Sequence, residues 1–241
     1  MEFIKKYKIE IGIFLLAFFA RLAFFLVCLH ANGGNVANTV HGQDGYFEIS
    51  RNLLLGRGFS INPEAPFYPY SYGVPLYPYF LFLLLTLTGS YLTTGMIQLV
   101  LGALIPVMGM YIAKQILPSH KRLPLAVGLL LALSPYQILF SFIFYTETVF
   151  SILFGLFLIL FLKFLEKPGY AYALSAGFFL GLSTLTKATV QYVFIVAILF
   201  SLWRLRKEIN REVFFKLAAL FLVFSATVVP WMHRNYTTFN S

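Results

Sequence analysis

PLYPYFLFLLLTLTG, residues 75–89, decides how the chain is threaded. If it crosses a membrane, eight apolar runs cross; if it only enters the membrane, seven do. A spanning helix needs about 20 mostly apolar residues, and this run is short for one. Pro75 and Pro78 stand near its start, and Tyr77 and Tyr79 sit where an interfacial helix places its rings. The stretch therefore predicts a helix that is re-entrant or lies in the interface.

The other apolar runs cover residues 9–30, 93–116, 123–138, 147–165, 170–185, 190–203 and 213–231. With 59% hydrophobic and only 11% charged residues, the chain has too little polar surface to cover a soluble globule. An integral, multi-pass membrane protein follows, all-α, its helices packed as one transmembrane bundle in a single domain over residues 1–241. The net charge of +9 does not point to nucleic acid, because the basic residues form short clusters between apolar runs. Those clusters are Lys5/Lys6/Lys8, Lys114/Lys121/Arg122, Lys163/Lys167 and Arg204/Arg206/Lys207/Arg211/Lys216. Cytoplasmic loops are enriched in Lys and Arg, and seven crossings with the N-terminus cytoplasmic put every cluster inside. Eight crossings do not. The single cysteine, Cys28, offers neither a disulfide nor a Cys-based metal site. The first run is longer than the roughly 7–15 residues of a cleavable leader's apolar core, so it is expected to persist as a helix.

This threading gives the outer face a large first extracytoplasmic loop, about residues 31–92, and shorter ones at 139–146, 186–189 and beyond 231. Their ionisable residues include Asp44, Glu48, Arg51, Arg57, Glu64, Glu147, Lys187 and Arg234. Loops at one end of a small bundle lie close together, so Asp44, Glu147, Lys187 and Arg234 are expected to converge on one cavity. Carboxylates mixed with cations suit transfer of a group from a phosphate-bearing lipid: a carboxylate takes the proton of the attacking group while cations stabilise the departing phosphate. The alternative is a set of ordinary loop charges.

Residues 44–55, DGYFEISRNLLL, predict a short amphipathic helix with Asp44, Glu48 and Arg51 on one stripe and Phe47, Leu54 and Leu55 toward the apolar side. A simple Glu48–Arg51 surface pair is the competing reading. Residues 64–79 hold five tyrosines and four prolines, either a stiff wall for a sugar or headgroup site or a membrane-interface belt. Glu147 in the first turn of a helix is also favourable as a simple cap. Arg21 lies midway through the first span, where a lone guanidinium is costly, and a tie to backbone carbonyls or a polar neighbour is expected. The histidines lack ligand spacing, so no metal site is assigned to them.

In order along the chain, YFEISRNLLLGRGF after an early loop Asp, YGVPLYPYFL, LALSPYQILFSFIFYTETVF, GLSTLTKATV and VVPWMHRNY resemble the GT-C-type membrane glycosyltransferases. The branch resembled uses polyprenyl-phosphate sugars and includes protein mannosyltransferases and aminoarabinose transferases. The resemblance implies a seven-helix module whose large first outer loop carries juxtamembrane helices. It also implies inverting transfer from an undecaprenyl- or dolichyl-phosphate sugar to an acceptor at the extracytoplasmic face of a bacterial or archaeal cytoplasmic membrane. By this likeness Asp44 is the base and Glu147 the second catalytic acid, supported by Tyr46, Glu48 and Arg51. Lys187 and Arg234 would bind the lipid phosphate.

The sequence departs from the family's pattern in two places. Gly45 stands where relatives often carry a second acid, so no cofactor is assigned and a divalent metal is left open. Relatives usually continue into further helices and a soluble domain, so the chain reads as a minimal form, a fragment or one partner of a split enzyme with a second membrane subunit. The acceptor is not readable. Rival functions are a flippase or carrier for a lipid-linked sugar and a non-catalytic lipid-binding subunit.

Overall fold

The computed structural model describes residues 7–208 and 210–239. Every regular element among them is helical. In chain order they are α1 (Lys8–Ala31), α2 (Val36–Val40), α3 (Tyr46–Leu54), α4 (Leu76–Thr88), α5 (Tyr91–Ile116), α6 (Leu123–Leu133) and α7 (Pro135–Leu139). There follow α8 (Glu147–Glu166), α9 (Tyr170–Thr184), a 3-10 turn (Ala188–Tyr192), α10 (Val193–Arg204) and α11 (Arg211–Phe239). Four of these, α1, α5, α8 and α11, are long and apolar enough to cross a membrane. The helix expected over residues 75–89 is α4, whose 13 residues rise about 20 Å at 1.5 Å each, against a hydrocarbon core of about 30 Å.

Two local departures from the expected runs have plain causes. The run over residues 123–138 is two helices, because Ser134 is extended (φ −61°, ψ 119°) ahead of Pro135 and caps α7 by accepting from Gln137 N. The last helix does not stop near Trp231 but continues through Pro230 to Phe239, so Arg234 lies inside it and not in a tail.

The chain forms two compact units, Met1–Gly73 with Tyr77–Ile152, and Val74–Leu76 with Leu153–Ser241. In the first, α5 packs against α1 and α6 around Ile13, Ala17, Ala103, Met110 and Ala132. Close approach depends on small residues, as expected where lipid offers no hydrophobic drive between helices. A Cβ on Gly128 would stand 2.7 Å from Met110 Sδ, and one on Gly102 2.7 Å from the Ser141 Cβ.

Arg21 is fully buried in this unit. Its Nη1 donates to the Ala17 carbonyl at 3.0 Å and the Ala132 carbonyl at 3.1 Å, and Nη2 donates to the Leu131 carbonyl at 3.4 Å. The last two belong to the C-terminal turn of α6, where carbonyls lack helical partners and the helix dipole favours a cation. The guanidinium thus ties α1 to α6, as its mid-span position predicts. Arg21→Met, which keeps the stem and removes the donors, is expected to destabilise the protein by about 2–4 kcal/mol, seen as a lower denaturation midpoint in micelles. An unchanged midpoint would show that the tie is dispensable.

In the second unit α9 lies along α11. Gly177 and Gly181 permit it: a Cβ on the first would stand 3.2 Å from Leu220 Cα, and one on the second 2.6 Å from Thr227 Cβ. Lys216 is buried beneath the start of α9, its Nζ donating to the Pro168 carbonyl at 2.9 Å and to Glu212. Phe194 stacks on Phe224 with centroids 4.9 Å apart.

Candidate active site

Two stretches about a hundred residues apart meet to build the site. After α2, capped by Asn35 accepting from Asn38 N at 3.0 Å, the chain turns extended at His41. There Phe144 N donates to the Val40 carbonyl at 2.7 Å, and Gln43 N donates to Tyr145 Oη at 3.0 Å. Between these bonds Gly42 lies directly over the Phe144 carbonyl oxygen, where a side chain would collide.

The 140–146 side of this seam is held from several directions. Thr148 Oγ1 donates to the Phe140 carbonyl at 2.7 Å and Ser141 Oγ to the Ile138 carbonyl at 2.6 Å. Gln98 of α5 donates through Nε2 to the Ile143 carbonyl at 2.6 Å and accepts from Tyr77 Oη of α4 at 2.8 Å. Tyr77 and Gln98 are fully buried. A satisfied polar bridge of this kind fixes one geometry, because breaking either half strands a buried group. Gln98 stands as a polar residue inside an apolar run, which is a mark of this bridge that the sequence carries.

One consequence is that the charge of Glu147 is felt at Asp44. Asp44 precedes α3, and its Oδ1 accepts from Tyr46 N at 3.3 Å. Gly45 caps the helix in the left-handed region (φ +80°) with Ile61 against the place of its missing Cβ, so a second acid beside Asp44 does not fit there. Glu147 opens α8, accepting from Tyr136 Oη and from Thr146 Oγ1, both at 3.4 Å. The Asp44 carboxyl is pushed up to about 7, chiefly by burial, with the negative charges of Glu147 and Glu48 adding and the Tyr46 N–H opposing. Tyr46 stands edge-on to Tyr77 at 5.6 Å. Burial, then the charges of Asp44, Tyr70 and Glu147, push its phenol up to about 12, which keeps it a hydrogen-bond donor.

α3 is the amphipathic helix expected, with a different arrangement of faces. Glu48 pairs with His41 (Nε2 to Oε1, 2.8 Å) and not with Arg51, whose side chain is exposed. Phe47 packs against Tyr91 and Phe144 at 5.3 and 6.1 Å, while Leu54 and Leu55 are the exposed apolar residues.

Lys187 and Arg234 belong to the second unit. Lys187 is half-buried and caps the 3-10 turn, its backbone N–H donating to the Ser183 carbonyl at 2.8 Å. Arg234, also half-buried, donates to Asn235 Oδ1 at 2.7 Å and lies over the Trp231 ring at 4.7 Å. Asp44, Tyr46, Glu48 and Glu147 therefore form one cluster in the first unit. Among the described residues no three His, Cys, Asp or Glu side chains gather as a metal site would need.

No curated protein and no solved structure matches the chain. A family model does match, that of dolichyl-phosphate-mannose-protein mannosyltransferase, over residues 69–231, more than half of the sequence. The match takes in Glu147 and Lys187, begins after Asp44 and ends before Arg234. The chain thus belongs to the dolichyl-phosphate-mannose-protein mannosyltransferase family, whose members are membrane glycosyltransferases of the GT-C type.

Proposed function

We propose that this protein moves a sugar from a polyprenyl-phosphate donor to an acceptor hydroxyl or amine at the extracytoplasmic membrane face, with inversion. Seven crossings with a cytoplasmic N-terminus, α4 entering the bilayer without traversing it, give the basic clusters their inner position and the site its outer one. The acceptor's O–H or N–H attacks the anomeric carbon; the bond from that carbon to the phosphate oxygen breaks with its electron pair on the phosphate. Asp44 takes the proton, Glu147 with Glu48 and Tyr46 orients the acceptor, and Lys187 with Arg234 steadies the charge left on the polyprenyl phosphate.

The observation that supports this reading is the backbone seam between residues 40–43 and 144–145, next to which the Asp44 carboxyl is pushed up to about 7, chiefly by burial and in part by the charge of Glu147. A base near neutrality is matched to its task, since it is half ionised at working pH yet still holds a proton well. The transport alternative loses its charged feature near mid-span, because Arg21 is engaged by backbone carbonyls.

The test is twofold. Mass spectrometry of lipid carried through gentle purification is expected to find a polyprenyl phosphate or its glycoside, and membranes supplied with that glycoside are expected to release labelled glycosyl product. Counterflow of the lipid without product would overturn the reading. The pH profile adds a prediction. Only ionised Asp44 accepts a proton, so transfer should rise with pH through about 7 and level off above it. Glu147→Gln removes one of the charges that raise Asp44, so the inflection should move to lower pH even as the rate falls.

A further inference from the structure

Far along α1 and α5 from Asp44, the first unit contains a concavity that the glycosyl-transfer reading does not use. A slot of about 580 Å³ runs between the start of α1 and the end of α5, walled by residues such as Phe14, Leu104 and Val107. That volume lies within the roughly 300–1,000 Å³ typical of ligand pockets. It adjoins a smaller cavity of about 300 Å³, with which it shares Glu10, Met110, Lys114 and Pro124 and which adds His120 and Lys121. Glu10 is in the first turn of α1 and Lys114 in the last turn of α5. The polar mouth therefore lies where both helices end, and the apolar slot lies alongside their bodies.

We infer that this slot holds a diacyl anionic phospholipid, with an acyl chain in the slot and the phosphate at Lys114 and Lys121. The shape is amphiphilic in one direction: apolar walls within the helices' length, ionic groups at their end. The charge at the mouth chooses among lipids. Two lysines face a single carboxylate, and Arg122 borders the adjoining surface with Lys121. A net positive mouth between transmembrane helices attracts an anionic headgroup, whereas a zwitterionic one gains little from it. Acyl-chain burial supplies attraction without selectivity, and the lysines supply the selectivity.

The experiment uses the full chain in detergent, exchanged against mixed micelles of phosphatidylglycerol and phosphatidylcholine and examined by native mass spectrometry. The unaltered protein is expected to retain phosphatidylglycerol in preference. Lys114→Gln with Lys121→Gln should lower that retention about tenfold, an effect in keeping with two ammonium groups near an anionic surface. Lys114→Arg with Lys121→Arg should restore it. Val107→Trp, which fills the slot and keeps the charges, should lower the retention of both lipids together. The inference falls if the glutamine pair retains phosphatidylglycerol as before, if phosphatidylcholine is held equally well, or if a polyprenyl phosphate occupies the slot instead. It is independent of the transfer reaction, so loss of one reading leaves the other standing.

Discussion

Asp44→Asn is expected to lower glycosyl transfer by about 10²–10⁴-fold, the usual contribution of a positioned general base, while the protein folds as before. The amide has nearly the shape of the carboxyl and keeps an oxygen to accept from Tyr46 N, so the start of α3 needs no rearrangement. It cannot take a proton. A companion result separates a base from a structural residue. A carboxyl raised to about 7 from an ordinary value near 4 is penalised in the folded state whenever it is ionised. The sign follows from linkage: both states hold the proton at low pH, and folding stability falls as pH rises from about 4 to 7, reaching its full loss above. At pH 8 the Asn variant should therefore unfold no sooner than the parent, and later if burial outweighs the rest. The measurements are product formation from a lipid-linked sugar and a denaturation midpoint at pH 5 and 8. An Asn variant with unchanged transfer would remove Asp44 from the mechanism; one inactive and much less stable at pH 8 would recast it as a structural acid.

The parts of this protein legible in its sequence are those governed by local chemistry. Apolar runs become helices, and Arg21 meets backbone carbonyls because a buried cation with no acidic partner has little else to bind. The shortness of α4 is visible in the residue count. What could not be read depends on contacts remote in sequence. Glu48 and Arg51 are spaced as a helical pair, yet it is His41, extended after α2, that pairs with Glu48. Phe47 lies on an apolar side of α3 as its position predicts, but the surface it meets is Phe144 and Tyr91, which are remote in sequence, whereas Leu54 and Leu55 are exposed. Pro135 foreshadows the break at Ser134, although apolar residues continue on both sides of it. That Asp44 and Glu147 share one end of the bundle is an expectation the loop order already carries; the backbone bonds that pair their segments are not displayed by side-chain patterns.

That backbone seam makes Gly42 the position where a small change should have a large and diagnostic effect. Gly42→Ala adds one methyl group, directed at the Phe144 carbonyl oxygen and 3.2 Å from Tyr145 Cε2. Neither neighbour yields easily. Phe144 N is bonded to Val40, the Ile143 carbonyl to Gln98, and Tyr145 Oη to Gln43 N. The strain is therefore expected to part the seam by a fraction of an ångström to about an ångström, carrying Asp44 away from Glu147. Misplacement on that scale can cost about 10²-fold in rate, so transfer should fall by that order. The pH profile should change as well, since Asp44 set further from Glu147 and nearer to solvent loses causes of its raised value, and the inflection should move down from about 7. A merely destabilised protein would lose activity at every pH without moving the inflection. Gly12→Ala serves as the control, for its added methyl meets nothing within 4 Å inside α1 and should leave both rate and profile untouched. If Gly42→Ala is as active as Gly12→Ala, the seam between residues 40–43 and 143–145 does not position the base.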